Sequence, residues 1–477
     1  MKPVVALAAL ALALVVAGGA RAFNPNDPFV PRQWYVAQDR AFEAFDILPA
    51  LPTVRVAVID SGVDSSHPEL LRRIVAARSF VGGSPVDVDG HGTFVAGEIA
   101  AAVDNGIGIA GLAPAARLLV AKVVRDDGSV SPDAEARAIR WAVNQGARVI
   151  NVSLGGLRDP ADLRTGFSSV EQQAIDYATA NGALVVAAVG NGDGAPVKPW
   201  RYASYPAALP HVLGVGSYGR DGNVPVFSNR DDLYVDLVAP GEDIFSLFPR
   251  TLTAKNSACA DQGYSNCGPK EYRHASGTSF SAPQATAAAA MLFSLRPNLT
   301  PDQVSTLLER TAIDATPATG CPTCSPGRDA ASGFGYLDEA AAVRALRTGP
   351  LPVPDRAEPN DDISTAATIR GHKVRLRATI DYWDDPNDVY RIKLRRGQWV
   401  SVLVQTRPDL DVSLALWKPA LRSLADAQDS LRARRSVHPA GVPEFLRYRA
   451  RESGWYYLQV KLARPGSGPY WMRILHS

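Results

Sequence analysis

Between residues 54 and 346 short apolar runs alternate with longer stretches of helical period. The runs at 54–59, 117–124, 148–153, 183–188 and 211–217 are nearly continuous in Val, Ile, Leu and Ala rather than alternating with polar residues. Strands of that kind are covered on both faces, which is the condition of a parallel sheet. Between them, 93–103, 133–145 and 170–181 read as helices, and a further helix follows at 282–295. The pattern predicts an α/β fold built on a doubly wound, mostly parallel sheet. Ligands of such folds bind beyond the carboxyl ends of the strands, where Asp60, Ser153 and Asn191 fall.

The pattern then changes. A proline-rich stretch at 348–357 reads as an extended linker. Beyond it lie short β runs at 372–379, 389–394, 399–405, 412–417 and 455–462, which predict a small antiparallel β-sandwich over 358–477. The start of the chain is different again. Met1-Lys-Pro precedes an uncharged apolar run from Val4 to Ala17 and an Ala20-x-Ala22 cleavage pattern. That is a secretory signal peptide over 1–22, too short to span a bilayer, and no later segment reads as transmembrane. The expected location is extracellular, or periplasmic in transit.

Composition, at 46% hydrophobic and 21% charged, is ordinary for a globular chain. A net charge of +2 argues against a nucleic-acid binder. The charge is unevenly placed, however: residues 356–477 hold 21 Lys/Arg against 13 Asp/Glu, a net of +8, which leaves −6 for the rest. The second domain is thus suited to contact an anionic cell surface or substrate, unless its arginines are simply solvated. Cys259, Cys267, Cys321 and Cys324 suit an oxidising compartment. Local pairs, Cys259–Cys267 and Cys321–Cys324, are favoured over a zinc site made of all four thiolates.

The chemistry lies in three distant segments. Val54-Arg-Val-Ala-Val-Ile-Asp60-Ser-Gly ends a strand on an aspartate, placed to be buried and aimed at an imidazole. Asp89-Gly-His91-Gly-Thr sets a histidine between glycines at a helix start. Gly277-Thr-Ser279-Phe-Ser-Ala-Pro sets a serine ahead of the helix at 282–295, where free N–H groups and the positive end of the helix dipole favour developing negative charge. Each alone has a bland reading as a turn aspartate, a loop histidine or a helix cap. Together they supply a nucleophile, a base and an orienting carboxylate.

These segments, in this order, closely resemble those of the subtilisin-like serine protease (subtilase) family over residues 24–346. The resemblance implies a secreted serine endopeptidase, acting on proteins or peptides as a monomer, with Asp60, His91 and Ser279 catalytic. Asn191, in Val189-Gly-Asn-Gly, is then an oxyanion donor. Substrate contacts are implied at Ser129, Val130 and Ser131 on one edge and at Ser153, Leu154 and Gly155 on a pocket wall. Ser204 is implied near the pocket floor, before a cis Tyr205–Pro206 bond; a hydroxyl there adds no charge, so an uncharged P1 residue is expected. An N-terminal arm, Asn26-Asp27-Pro-Phe, resembles that of thermitase-like members and implies a structural Ca²⁺. Its oxygens would come from Asp27, Glu69 and Asn105 and from the carbonyls of Val103, Ile107 and Ile109. Ala357-Glu-Pro-Asn-Asp-Asp-Ile resembles the start of the bacterial pre-peptidase C-terminal domain. The implied organisation is signal peptide 1–22, catalytic domain 23–347, linker 348–357 and sandwich 358–477.

Four features depart from the family pattern. Few residues separate Ala22 from the arm, leaving no room for the usual inhibitory pro-domain, so either folding without that chaperone or its replacement by the C-terminal domain is expected. Glu69 stands where aspartate is usual, and Gln284 where histidine is. The Cys259–Cys267 insertion sits just before the nucleophile, a place from which it would limit access. The competing reading is a non-enzymatic binding protein on a protease-like scaffold.

Overall fold

The computed structural model describes residues 23–47, 51–162, 167–253, 264–267, 271–349, 357–358, 360–381, 385–464 and 466–477. The signal peptide, Cys259, the Cys267 side chain and most of the linker lie outside the described residues. Seven strands form the first sheet: β1 (Val54–Asp60), β2 (Ile74–Ser79), β3 (Ala116–Lys122), β4 (Val149–Val152), β5 (Leu184–Ala188), β6 (Val212–Tyr218) and β7 (Leu237–Pro240). Their order is β2-β3-β1-β4-β5-β6-β7, with every neighbouring pair parallel. The strand order reverses at β1, so the end of β1 is where a cleft opens. Asp60 is its last residue.

Side chains along β1 show why its sequence is continuously apolar. Val54, Val56 and Val58 enter one core, while Ala57 and Ile59 enter another on the opposite face. The first core is shared with α1 (Trp34–Gln38), α2 (Ala41–Ile47), α3 (His91–Ala100) and α7 (Ala282–Leu295). The second is closed by α4 (Pro132–Asn144) and α5 (Ser169–Ala180). α4 begins on Ser131, whose hydroxyl accepts from Ala134 N, with Pro132 in the first turn. α7 is buried from Ala282 to Ser294, and its alanines allow close packing against the sheet. α6 (Arg250–Thr253) is a single turn; α8 (Pro301–Thr311), started by a Thr300/Gln303 capping box, and α9 (Glu339–Thr348) complete this part. β8 (Ile244–Leu247), β9 (Tyr264–Cys267) and β10 (Tyr272–Ala275) form a small antiparallel sheet, and β10 ends four residues before Ser279.

The remaining residues build two layers. One holds β11 (Ala367–Thr368), β13 (Asn387–Leu394), β15 (Val412–Trp417), β16 (Arg432–Val437) and β18 (Gly454–Leu462). The other, ordered β12-β19-β14-β17, holds β12 (Lys373–Asp381), β14 (Trp399–Thr406), β17 (Glu444–Arg449) and β19 (Ser467–His476). Val400, Val402, Val404, Leu414, Leu416, Leu458, Val460 and Ile474 pack between the layers. Among the described residues of these two layers, β11–β13 is the one parallel pair. The first layer's outer face, with Trp417, Gln459 and Lys461, meets Arg158, His211 and Tyr234 of the α/β part across a cleft of about 940 Å³. Tyr205 Oη donates to Asp426 across the same junction at 3.3 Å.

Several strands escape the sequence pattern. β2 is an edge strand with exposed positions, and β7 has four residues and ends on a proline. β16, Arg-Ala-Arg-Arg-Ser-Val, and β17, Glu-Phe-Leu-Arg-Tyr-Arg, carry charges in place of a clean apolar alternation. Cys321 and Cys324 are joined as a disulfide, which removes both from any four-thiolate zinc site.

Candidate active site

The close approach of two turns brings His91 to Asp60. A side chain on Gly92 would lie 2.2 Å from the Gly62 carbonyl, so only glycine lets α3 start against the turn that follows β1. His91 Nδ1 donates to Asp60 Oδ1 at 2.8 Å and lies 3.0 Å from Oδ2. Ser61 N holds Asp60 Oδ1 at 2.7 Å. Asp60 is fully buried, and the His91 side chain is 15% exposed. Burial works against the imidazolium, but Asp60, with Asp89 and Asp87 behind it, outweighs that and lifts the His91 pKa to about 9.

A residue not singled out from the sequence holds this loop together. The buried Asp87 carboxylate accepts from Ser61 Oγ (2.9 Å), Asp89 N (3.1 Å) and Gly90 N (2.8 Å) on one oxygen. Its other oxygen accepts from Thr93 N (2.9 Å) and Thr93 Oγ1 (2.6 Å). Ser61 Oγ in turn accepts from Gly92 N at 2.9 Å. One carboxylate thus ties the turn after Asp60 to the start of the His91 helix.

Ser279 lies in a 3₁₀ turn, Thr278–Phe280, that leads into α7. The Phe280 ring packs on His91, with centroids 5.3 Å apart, and on Phe94 at 4.5 Å. Ser279 Oγ donates to the Ser153 carbonyl at 3.0 Å, while Ser153 Oγ donates to the Ser279 carbonyl at 2.7 Å. Ser279 is therefore turned toward the end of β4 rather than hydrogen-bonded to His91. Loose triad geometry of this kind is common before substrate arrives. Gln284, fully buried, donates to the Phe280 and Pro240 carbonyls at 2.7 and 2.8 Å and so braces the turn.

Asn191 Oδ1 accepts from both Thr278 N and Thr278 Oγ1 at 2.9 Å. With its oxygen anchored, the amide NH₂ is the end left to donate. The end of β4 and the Ser204 segment form one structure: Gly156 and Tyr205 exchange backbone hydrogen bonds at 2.9 and 3.0 Å. Ser204 is buried and packs against Gly155 and Gly190, and its Oγ accepts from Asn229 Nδ2 at 3.3 Å. Tyr205–Pro206 is cis, as is Lys198–Pro199. The other edge is a turn: Asp127 accepts from Ser129 N at 2.9 Å, Val130 packs on the second core, and the Ser131 hydroxyl is used as the α4 cap.

Of the groups expected to hold Ca²⁺, the side chains of Asp27 and Glu69 are both bonded to the 104–109 loop that carries Asn105. Asp27 accepts from Asp104 N (2.7 Å) and Asn105 N (2.9 Å). Glu69 accepts from Ile109 N (3.0 Å), Tyr272 Oη (3.2 Å) and Asn105 Nδ2 (3.2 Å). A side chain on Gly108 would fall 1.6 Å from Glu69 Oε1. Asp27 and Glu69 are both buried, and burial raises the Glu69 pKa to about 7, with Asp27 adding to the rise. Two buried carboxylates and an amide fit a hard cation, on condition that the Asn105 amide turns its oxygen where its nitrogen now points. A second acidic group lies in the sandwich, where ligating atoms of Glu358, Asp385 and Asp388 fall within 4.8 Å of one another.

A base held by a buried carboxylate, beside a serine at a helix start and an amide donor, defines the serine-hydrolase class of site. The family model described as Peptidase_S8, Subtilase family, matches residues 52–339. Thermitase of Thermoactinomyces vulgaris is 38% identical over 239 residues, 49% of this chain and 80% of that protein. The major intracellular serine protease of Bacillus subtilis (strain 168) is 39% identical over 247 residues, 50% and 68% of the two chains. A solved protease structure from Pseudoalteromonas arctica PAMC 21717 has 28% identity and a TM-score of 0.55, over 68% of this chain and all but 1% of that one, 99% being covered. The chain belongs to the subtilase family and is a serine endopeptidase. Among the described residues no helix is long and apolar enough to cross a membrane.

Proposed function

We propose that this is a secreted endopeptidase in which Ser279 is the nucleophile, His91 the general base and acid, and Asp60 the group that orients and stabilises the imidazolium. The observation that carries the reading is the 2.8 Å His91–Asp60 hydrogen bond at the end of β1, packed through Phe280 against the Ser279 turn. Rotation of the Ser279 side chain away from the Ser153 carbonyl presents Oγ to the imidazole. Neutral His91 then takes the hydroxyl proton as Oγ attacks the scissile carbonyl. The oxyanion forms beside the Asn191 NH₂ and the N–H of Ser279. His91 returns its proton to the leaving amine, and water activated by His91 hydrolyses the acyl-enzyme.

The paired Gly156–Tyr205 backbone and buried Ser204 support a neutral pocket, and hence uncharged P1 residues. Asp27, Glu69 and Asn105, with the carbonyls of Val103, Ile107 and Ile109, would hold a structural Ca²⁺ that ties the N-terminal arm to the body. The leader at 1–22 would direct export, with the catalytic domain over 23–347 and a sandwich like the pre-peptidase C-terminal domain over 358–477. The test is hydrolysis of casein and of an uncharged-P1 peptide chromogen by the secreted protein and its Ser279→Ala variant. Activity confined to the unaltered protein is expected; equal activity in both would overturn the assignment.

A further inference from the structure

The outer face of the four-stranded layer carries a charge pattern that the proteolytic site does not use. Side chains alternate across each strand, and the register places the outward ones in rows. Arg377 stands opposite Trp471 and Arg375 opposite Arg473, with Lys373 opposite Leu475. On the other side of β19, Leu403 faces Arg473 and Ser401 faces Leu475. The rows continue onto β17, where Leu403 faces Phe445, Ser401 faces Arg447 and Trp399 faces Arg449.

Six cations, Lys373, Arg375, Arg377, Arg447, Arg449 and Arg473, therefore share one face with four large apolar side chains. Those are exposed to an unusual degree for their size: Phe445 53%, Trp471 44%, Trp399 42% and Leu475 38%. Among the described residues none of the six cations is in an ion pair. The one acid on the adjoining β17 strand, Glu444, points inward and is buried against His438. The other layer faces the catalytic domain, so this face lies on the far side of the sandwich.

We propose that this face docks the protease on an anionic lipid surface. The charge selects a polyanion, and the apolar side chains decide which kind. A single-stranded nucleic acid needs bare aromatic faces on which bases stack. Here the faces are taken, with the Arg447 guanidinium 4.7 Å from the Trp399 ring centroid and that of Arg377 5.8 Å from Trp471. Tryptophan paired with arginine suits the headgroup layer, where an apolar body and a polar tip are both satisfied. Phe445 and Leu475 reach the same plane and have a use only if it is partly apolar. Four strands also make a broad, grooveless face, roughly 14 Å across at about 4.8 Å per strand, which fits a surface better than a thread.

The test is co-sedimentation of the full-length protein with vesicles of one part phosphatidylglycerol to two parts phosphatidylcholine, against pure phosphatidylcholine. Each basic residue near such a surface is worth roughly a factor of five in partitioning, so Arg375→Glu/Arg473→Glu should lower binding by at least about 30-fold. Binding should also fall steeply between physiological salt and about 1 M, as the screening length shrinks from about 8 Å to about 3 Å. Phe445→Ala/Trp471→Ala should weaken binding to the anionic vesicles several-fold. Peptide hydrolysis by each variant, unchanged from wild type, certifies folding. Three results would overturn the proposal: equal sedimentation with both vesicle types, full binding by the aromatic double variant, or capture by single-stranded DNA or heparin with no vesicle binding.

Discussion

In the catalytic half every strand of the sheet except the edge strand β2 is buried, and the proposed site residues stand at strand ends and helix starts; in the sandwich one outer face is open, and its distinctive residues run in rows across the strands. Asp60, Ser153 and Asn191 occupy positions where a buried strand stops and the backbone turns. Each is fixed by neighbours: Asp60 by Ser61 N, Ser153 by Asn151 Nδ2 and Asn191 by Thr278. Arg375 and Arg473 face each other across the sheet and are exposed, with no ion pair among the described residues to fix them. Preorganisation suits bond making, where small displacements are costly. Loosely held charge suits docking on a surface that has no fixed pattern to match.

Substitutions in the two halves should accordingly differ in kind. Asn191→Ala should lower kcat by about 10²–10³, with KM changed far less, a loss of the size known for the matching donor in subtilisin. A loss carried mainly by KM would place Asn191 in ground-state binding. Asp87→Ala removes the acceptor of five hydrogen bonds from a dry site and should cost about 3 kcal/mol of stability, measured by denaturant unfolding. A change near zero would make the carboxylate a bystander.

The pH dependence should separate the halves as well. Because the base works only when neutral, kcat/KM in the free enzyme should rise with pH through an apparent pKa of about 9. The His91 pKa is raised above its ordinary 6.5, so the ionised pair with Asp60 stabilises the fold below about pH 6.5. That contribution is lost as pH rises through about 9, and activity grows as it goes. Vesicle binding by the arginine face should be flat over the same range. A kcat/KM profile already level at pH 7 would show that burial of His91 offsets the pull of Asp60, Asp89 and Asp87 on its imidazolium.

The smallest expected effect is on the arm. If calcium is present at about a hundredfold over its dissociation constant, chelation removes about 2.7 kcal/mol, or roughly 5 °C of Tm. Asp27→Ala should abolish that response. A response that survives the substitution would move the ion elsewhere, with the Glu358, Asp385 and Asp388 group the place to look.

The same contrast governs how much was legible in the sequence. Covered parallel strands give unbroken apolar runs, so β1, β3, β4, β5 and β6 could be read off, and with them the strand-end residues. Asp60, His91 and Ser279 are bracketed by glycines and by strand or helix ends, but it was their joint order, and the family resemblance it carries, that gave them and Asn191 their roles. Asp87 does not: its role exists only as contacts among Ser61, Gly90 and Thr93 in the folded loop. The bracing of the Ser279 turn by Gln284 is equally invisible before folding. In the sandwich, β16, β17 and β19 were missed because arginine, proline and glycine interrupt the alternation that marks a half-buried strand. Arg447 and Arg449 of β17 and Arg473 of β19, which obscured two of those strands, also belong to the exposed face.

The most direct test of the central claim is mass spectrometry of the protein after treatment with a serine-directed phosphonofluoridate, followed by peptide mapping. A single adduct on the peptide containing Ser279, lost when His91 is replaced by alanine, is the predicted result. An adduct elsewhere, or none on a folded protein, would contradict the account.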